Sequence, residues 1–567
     1  MKVKQQQINI QLIKAIVFIA CLFTINSITA QSTFVPLGSE DYQIIDRTEV
    51  QSKLLSDDVF TNQKPYNRRE MVDMIEARDT MRSFYSARDR INHYHLYKNN
   101  NEWTESGQIY SKKPLLKQFY VFKPDFYYID RGDFMLKVNP VFHFSYGSEF
   151  ETTVPRYINT RGAEFRGLLF NKIGFYSFLS ENQARFPTYV GEFIWDKGAI
   201  PKEAAFRPSN TDRGVDFFSY DGYLSVPLYD VINFQFGHSK NFIGNGYRSL
   251  FLSDNAGPYM FGKLTTKFWK FSYQNIWSEH IQQFPFLAPD ALRERKYIAT
   301  HHLSFNATKW LNVGLFETVI QNRENGIDFN YFNPLIFYKA VEWYLGSPDN
   351  VLVGLDWKAN FARRFSFYGQ VLLDEFKVSE LFQDNRGWWA NKYGFQAGLK
   401  YIDVFDITQL DFQAEYNTVR PYTYSYQNEA LNFTHYNQAL AHPLGANFRE
   451  FIGILKYKPF KNIYFENRFM YATQGMDTAG VNLGANVFND TDMRPEEYGH
   501  STLQGNLTKT ITNDFRVTFS PWHNMFFDVN YLYRKQNDEL NVPALNTTTN
   551  YLGLSFRANI VYRDLVF

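Results

Sequence analysis

The sequence GHSKNFIGNGYRSLFLSDNAGPY, residues 237–259, places Gly244 and Gly246 on either side of Asn245. Glycines at this spacing let backbone amides approach a phosphate when a third glycine and a helix N-terminus follow. Ser249 stands where the third glycine would be, and no crossover helix pattern comes after it. Asn245-Gly246 is a tight-turn signal by itself, so the stretch reads as a turn within an outward excursion. His93, His95, His301 and His302 suggest metal, but no third ligand stands at a recognisable spacing. They read as surface or interface histidines. Neither G-x-S-x-G nor H-E-x-x-H occurs, and among 58 acidic residues no glycosidase pair can be singled out. The chain is expected not to be an enzyme and to need no cofactor or metal.

Aromatic side chains offer a different chemistry, since their rings bury against the apolar faces of sugars. In FNYFNPLIFYKAVEWYLGSPDNVLVGLDW, Asn333 and Pro334 read as a helix start, with Gly346 and Pro348 as its stop. The short amphipathic helix between them carries Phe337, Val341, Trp343 and Tyr344. Folded inward, it would narrow a pore and set Glu342 among lumen polar groups. Reaching outward, its rings would stack on sugar. Packing of the rings within the loop is the plainer alternative. Tyr422 and Tyr424, in RPYTYSYQNEALNFTHYNQALAHP, fit a carbohydrate surface in the same way. The candidate ligand-binding residues are therefore Phe337, Glu342, Trp343, Tyr344, Tyr422 and Tyr424.

These residues need elements to hold them, and the hydrophobic pattern supplies strands. In FMLKVNPVFHFSY, Phe134, Leu136, Val138, Phe142, Phe144 and Tyr146 share one face; Lys137, Asn139, His143 and Ser145 share the other. The same period of two recurs along the chain to Leu552, Leu554 and Phe556. Very short turns near 171, 229, 268, 309, 363, 404, 460 and 522 alternate with long excursions, which predicts eight hairpins plus one strand at each end. The count of about eighteen is even and sets both chain ends on one rim. Short turns on one rim and long loops on the other are the asymmetry of an outer-membrane barrel, with the turns periplasmic and the loops extracellular. The 56 Phe, 39 Tyr and 10 Trp suit a barrel that displays rings to lipid and in interfacial girdles. A mean hydropathy of −0.39 agrees, because lumen-facing polar residues dilute every window. Phe567 fits the aromatic end of a last strand at 549–563, although Asn559 and Arg563 interrupt its alternation.

Ahead of the barrel, Lys2, Lys4 and Lys14, an apolar run from Ala15 to Ile25 and SITAQ have the layout of a signal peptide over residues 1–30. Its removal takes away three lysines and the single cysteine, leaving 56 basic against 58 acidic residues. That balance argues against nucleic acid as a partner. Residues 31–118 read as a periplasmic helical segment and 119–567 as the barrel. Asn67 with Glu70 three positions on forms an N-cap signature, and Ser39 is placed to cap an earlier helix.

Three stretches carry a family resemblance: VPLGSEDYQIIDRTEV, NFIGNGYRSLFLSDNAGPY and NPLIFYKAVEWYLGSPDNVLVGLD. Together they resemble the Wzi-type capsule-assembly family, in a Bacteroidetes branch that includes the gliding motility protein RemB. Gly244, Asn245, Gly246, Asn255, Asn333 and Pro334 are the motif positions. The resemblance implies an eighteen-stranded outer-membrane barrel with an N-terminal helical bundle at its periplasmic mouth. It implies a lectin-like role, with surface or capsular polysaccharide and outer-membrane lipid as partners. Enterobacterial members have Gly-Pro-Gly where this chain has Gly244-Asn245-Gly246, so glycan contacts do not carry over. The branch also implies an alternative, a structural part of gliding motility or adhesin secretion whose loops hold surface adhesin or machinery proteins. A diffusion channel is the third reading.

Overall fold

The computed structural model describes residues 32–78, 84–209, 213–282, 292–323, 326–335, 337–375, 379–380, 386–478, 480–540, 542 and 545–567. The expected signal peptide lies outside them. Eighteen long antiparallel strands close into one barrel, the last pairing with the first. They are β1 Phe134–Glu149, β2 Arg156–Leu169, β3 Ile173–Arg185, β4 Val215–Tyr229, β5 Ile232–Ser239 and β6 Tyr259–Phe268. Next come β7 Phe271–Ile281, β8 Arg295–Asn306, β9 Leu311–Gln321, β10 Asn350–Phe361, β11 Phe365–Leu373 and β12 Tyr393–Tyr401. The last six are β13 Leu410–Val419, β14 Phe448–Phe460, β15 Ile463–Met476, β16 Asn506–Trp522, β17 Met525–Asp538 and β18 Thr547–Ala558.

The alternation sorts side chains to the two faces as predicted. Phe144, Tyr146, Leu315, Leu355, Phe527 and Val529 point out and are exposed, whereas Lys137, His143, Asp356, Lys358 and Asp528 point in and are buried. An apolar outer face with a polar interior is the arrangement lipid requires, because closure leaves no unpaired strand edge. Eight connections at one rim span two to eight residues. Each presents an exposed ring at the wall: Phe170, Tyr229, Trp269, Trp310, Phe361, Phe405, Phe460 and Trp522. This is an interfacial aromatic girdle. The nine connections at the other rim run from six to twenty-nine residues.

The bore is filled from both rims. Helices α1 Asp41–Ser52, α2 Arg68–Arg78 and α3 Ala87–Asn99 enter at the short-turn rim. Asn67 caps α2, its Oδ1 accepting from the Arg69 and Glu70 amides. Ser86 and Asp89 form a reciprocal capping box on α3. Their apolar faces bury Ile45, Met71, Val72, Ile75 and Leu96 together, and their polar faces pair with the wall. Arg47 reaches Asp89, Asp403 and Asp411, Lys358 pairs with Glu49, and Asn62 donates to Asp356 at 2.7 Å. Buried charges this far from water are tolerated because they are paired; removing one partner costs roughly 3–5 kcal/mol.

One expectation fails at the C-terminus. The last strand ends at Ala558, Asn559 takes φ +52°, and residues 560–567 run into the bore. Asp564 pairs with Arg468 at 2.8 Å and accepts from the Tyr247 hydroxyl, and Phe567 packs on Tyr189 and Phe193. Arg563 and Asp564 explain the departure: on a lipid-facing strand they would lack partners that the bore provides.

Candidate functional site

The long-loop rim is closed by loops that lock onto one another. The 240–258 loop does not reach outward, as its turn signal suggested, but folds down the bore. Inside, Gln63 and Lys64 pair antiparallel with Ile243 and Phe242, and the Gly244 amide donates to the Asn62 carbonyl. Gly244 has φ +146°, and a Cβ there would lie 2.7 Å from Gln370 Nε2; a Cβ on Gly246 would meet Glu415 at 2.4 Å. Both glycines thus serve close backbone approach to the wall, not phosphate. Asn245 Oδ1 accepts from Thr61. Glu415 accepts from the amides of Tyr247 and Arg248 and from the Tyr368 hydroxyl, at 2.7–3.1 Å. Asn255 donates to the Ala439 carbonyl, which ties this loop to 420–447.

Tyr422 and Tyr424 are buried within that second loop, at 0% and 1% exposure. The Tyr422 hydroxyl donates to the Asn482 carbonyl and the Tyr424 hydroxyl to the Leu250 carbonyl. They hold the cap together and present no ring to a ligand. What the cap does present is a patch that the sequence reading passed over, between the 386–392 segment and the 477–505 loop. Trp389 donates from Nε1 to Glu497 at 2.9 Å and lies under the Arg494 guanidinium at 4.0 Å. Half-buried Trp388 stands edge-on to Trp389. Arg386 covers the ring of Tyr498 at 4.2 Å, and Tyr498, Glu496 and Glu497 are exposed. Arg494, hydrogen-bonded to Glu497, holds that carboxyl below its usual range. Rings for sugar C–H faces, with guanidinium donors and carboxylate acceptors for hydroxyls, are the chemistry of carbohydrate binding. The adjacent Trp388-Trp389 pair in a predicted excursion was the available signal.

After α4 Thr188–Lys197, in the loop between β3 and β4, the predicted helix forms as α5 Tyr338–Leu345, stopped by Gly346 at φ +62°. It starts four residues after Pro334. Asn333 Oδ1 instead accepts the Leu335 amide in a local turn, while Phe337 precedes the helix. The inward placement, narrowing the pore, does not occur. Residues 326–335 and 337–346 lie against the outside of the barrel wall, where Tyr331, Tyr338 and Val341 bury against Ala299, Val319 and Val351. Phe337, Trp343 and Tyr344 point away and are exposed, and Glu342 pairs with Lys339 at 2.5 Å.

A cavity of about 590 Å³ remains in the bore beside the plug, lined by Arg68, Tyr176, Asp221, Tyr223, Glu466 and Arg468 among others. Elsewhere in the bore, buried His302 is held between Gln63 and Asp356. Among the described residues no three His, Cys, Asp or Glu side chains cluster as metal ligands do.

No protein-family model and no curated protein matches the sequence. Among solved structures, the chain is similar to Wzi, an outer-membrane protein involved in group 1 capsule assembly in Escherichia coli and a carbohydrate-binding β-barrel. The TM-score is 0.54 at 13% identity, over 94% of this chain and 100% of that one. OprD from Pseudomonas aeruginosa aligns with a TM-score of 0.40 at 9% identity, over 75% of this chain and 94% of that one. OccAB2 from Acinetobacter baumannii aligns at 0.41 and 10%, over 74% and 97%. The first similarity supports the eighteen-stranded fold.

Proposed function

We propose that this chain is a non-enzymatic outer-membrane barrel that holds surface polysaccharide on its long-loop cap. In this reading the short-turn rim and both chain ends are periplasmic and the cap is extracellular. The observation that carries it is the patch of Trp388, Tyr498, Arg386, Arg494 and Glu497 on interlocked loops above the bore. Rigid loops lose little entropy on binding, so modest contacts suffice for retention. The similarity in fold to a carbohydrate-binding capsule-assembly barrel agrees with it.

The test is the partition of surface polysaccharide between cells and medium in a deletion strain complemented with variants. Polysaccharide made but shed, with retention restored by the native chain and lost several-fold with Tyr498→Ala or Trp388→Ala, supports the reading. Stacking of one ring is worth about 1 kcal/mol, or roughly fivefold in affinity. Unchanged retention on deletion overturns it and moves the role to holding surface adhesin or gliding-machinery protein, tested by co-purification. The cavity favours a second reading, a diffusion channel, which needs steady conductance in planar bilayers.

A further inference from the structure

The wall under α5 has an unusual surface for its position. On the outward face of β7 to β10, one transverse row reads Tyr273, Leu303, Leu315 and Leu355. Leu315 and Leu355 are exposed, as lipid-facing residues should be. The next row toward the long loops reads Asn275, His301, Glu317 and Val353. Three polar groups side by side on a lipid-facing wall are costly, the more so the nearer they stand to the midplane.

The segment 326–346 covers this row. Glu317 accepts the amides of Tyr338 and Lys339 at 2.9 and 3.0 Å, where the helix N-terminus also favours negative charge. The Tyr338 ring lies 3.9 Å from that of His301. Trp277, one row higher, stacks on Phe332 and donates to the Tyr331 carbonyl. On the side away from the wall, Phe329, Leu335, Phe337, Trp343 and Tyr344 are 73–87% exposed. The Lys339 side chain is 68% exposed beside them.

Height decides what covers these rings. Glu317 is six residues and Gln321 ten residues along β9 from Leu311. At about 3.4 Å per residue and a tilt near 40°, that is roughly 15–25 Å from the short-turn end, against an apolar band about 25 Å tall. The segment therefore spans the upper edge of the band, continuous with exposed Leu315 and Leu355. Rings with a polar edge, together with lysine, are the side chains that settle where acyl chains meet headgroups.

We propose that residues 326–335 and 337–346 form an interfacial belt that inserts Phe329, Leu335, Phe337, Trp343 and Tyr344 into the outer-leaflet lipid boundary, shielding Asn275, His301 and Glu317 from hydrocarbon. This inference does not depend on the glycan reading, because its occupant is lipid and its residues are not those of the cap patch.

The test uses the full chain in a Cys21→Ser background, carrying Trp343→Cys or Tyr344→Cys labelled with an environment-sensitive dye. The protein is reconstituted in phosphatidylcholine vesicles with bromine on the acyl chains. Leu355→Cys marks the band and Glu429→Cys the aqueous cap. Both loop positions are expected to be quenched by brominated lipid, like Leu355→Cys, and about threefold or more less by iodide than Glu429→Cys. Iodide quenching equal to Glu429→Cys, without lipid quenching, overturns the proposal. Protection from both quenchers also overturns it and points to a second copy or partner covering the rings. Two label positions on exposed side chains guard against a variant that fails to fold.

Discussion

Residues 326–346 and 420–447 are both long aromatic excursions, yet one lies outside the wall with Phe329, Phe337, Trp343 and Tyr344 exposed and the other packs inside the cap with Tyr422 and Tyr424 buried. Aromatic content is common to the two and does not decide between them. Their polar partners do. The first is drawn outward by Glu317, a carboxylate on the lipid-facing side that needs donors. The second is drawn inward by the Leu250 and Asn482 carbonyls and by Asp374, which accepts the Tyr424 amide. Where a ring ends up follows from which side of the sheet offers the unpaired polar group.

The largest expected effect breaks the comparison on its buried side. Tyr424→Ala removes a ring that is 1% exposed, at a cost of about 3–5 kcal/mol. It should lower the temperature at which the barrel loses its compact, fast-migrating form on a gel by many degrees. Glu415→Gln, which weakens the acceptor for two in-folded loop amides, should cost about 1–3 kcal/mol and raise proteolysis within 240–258.

A pH series sharpens the contrast at the other end of the bore. Burial alone would raise Asp46, but Lys400 and Lys358 reverse this and hold it at about 2. Asp41 goes the other way: burial raises it to about 6, against a smaller pull from Arg68. A depressed carboxylate contributes stability present above its ordinary value near 3.8 and lost as pH falls toward 2. A raised one costs stability as pH climbs from about 4 to 6. Docking of α1 should therefore be tightest near pH 4, with hydrogen-exchange protection over 41–52, corrected for intrinsic rate, falling on either side by about 1–2 kcal/mol.

On the outer side of the wall effects should be smaller. Glu317→Gln removes a charge at the α5 N-terminus, worth about 0.3–1 kcal/mol, and should show as faster cleavage within 326–346 with the barrel's melting unchanged. Tyr344→Ala, 86% exposed, should shift stability by less than about 0.5 kcal/mol in detergent. A destabilisation comparable to Tyr424→Ala would mean the two excursions do not differ as described.

The strands were legible because a period of two and the alternation of short and long connections both follow from backbone geometry and a two-faced wall. Phe134 to Tyr146 could be sorted to faces without coordinates. Asn67 and Gly346 also declared their helix ends by local chemistry. The in-folding was not legible. Nothing in Gly244-Asn245-Gly246 tells that its backbone meets Gln370 and Glu415, since those partners come from strands more than a hundred residues away. Tyr422 and Trp343 look alike in sequence, and only the position of Glu317 and the neighbouring loops separates them. Asn559 and Arg563 did interrupt the alternation of the tail, and there the broken pattern outweighed the terminal phenylalanine.

The girdle of eight rings at the short turns bears on mechanical load. Under the proposed function, a polymer held at the cap would transmit drag along the barrel axis, and the barrel would have to resist being drawn toward the side that pulls. Each turn would then have to carry its ring, and in several cases an exposed charge such as Asp230, Lys309, Asp406 or Lys461, from the interface into hydrocarbon. Charged groups enter that region only at a cost of kilocalories apiece. On that reading the turns would act as a flange on the far side of the membrane, converting a pull at the cap into compression of the bilayer.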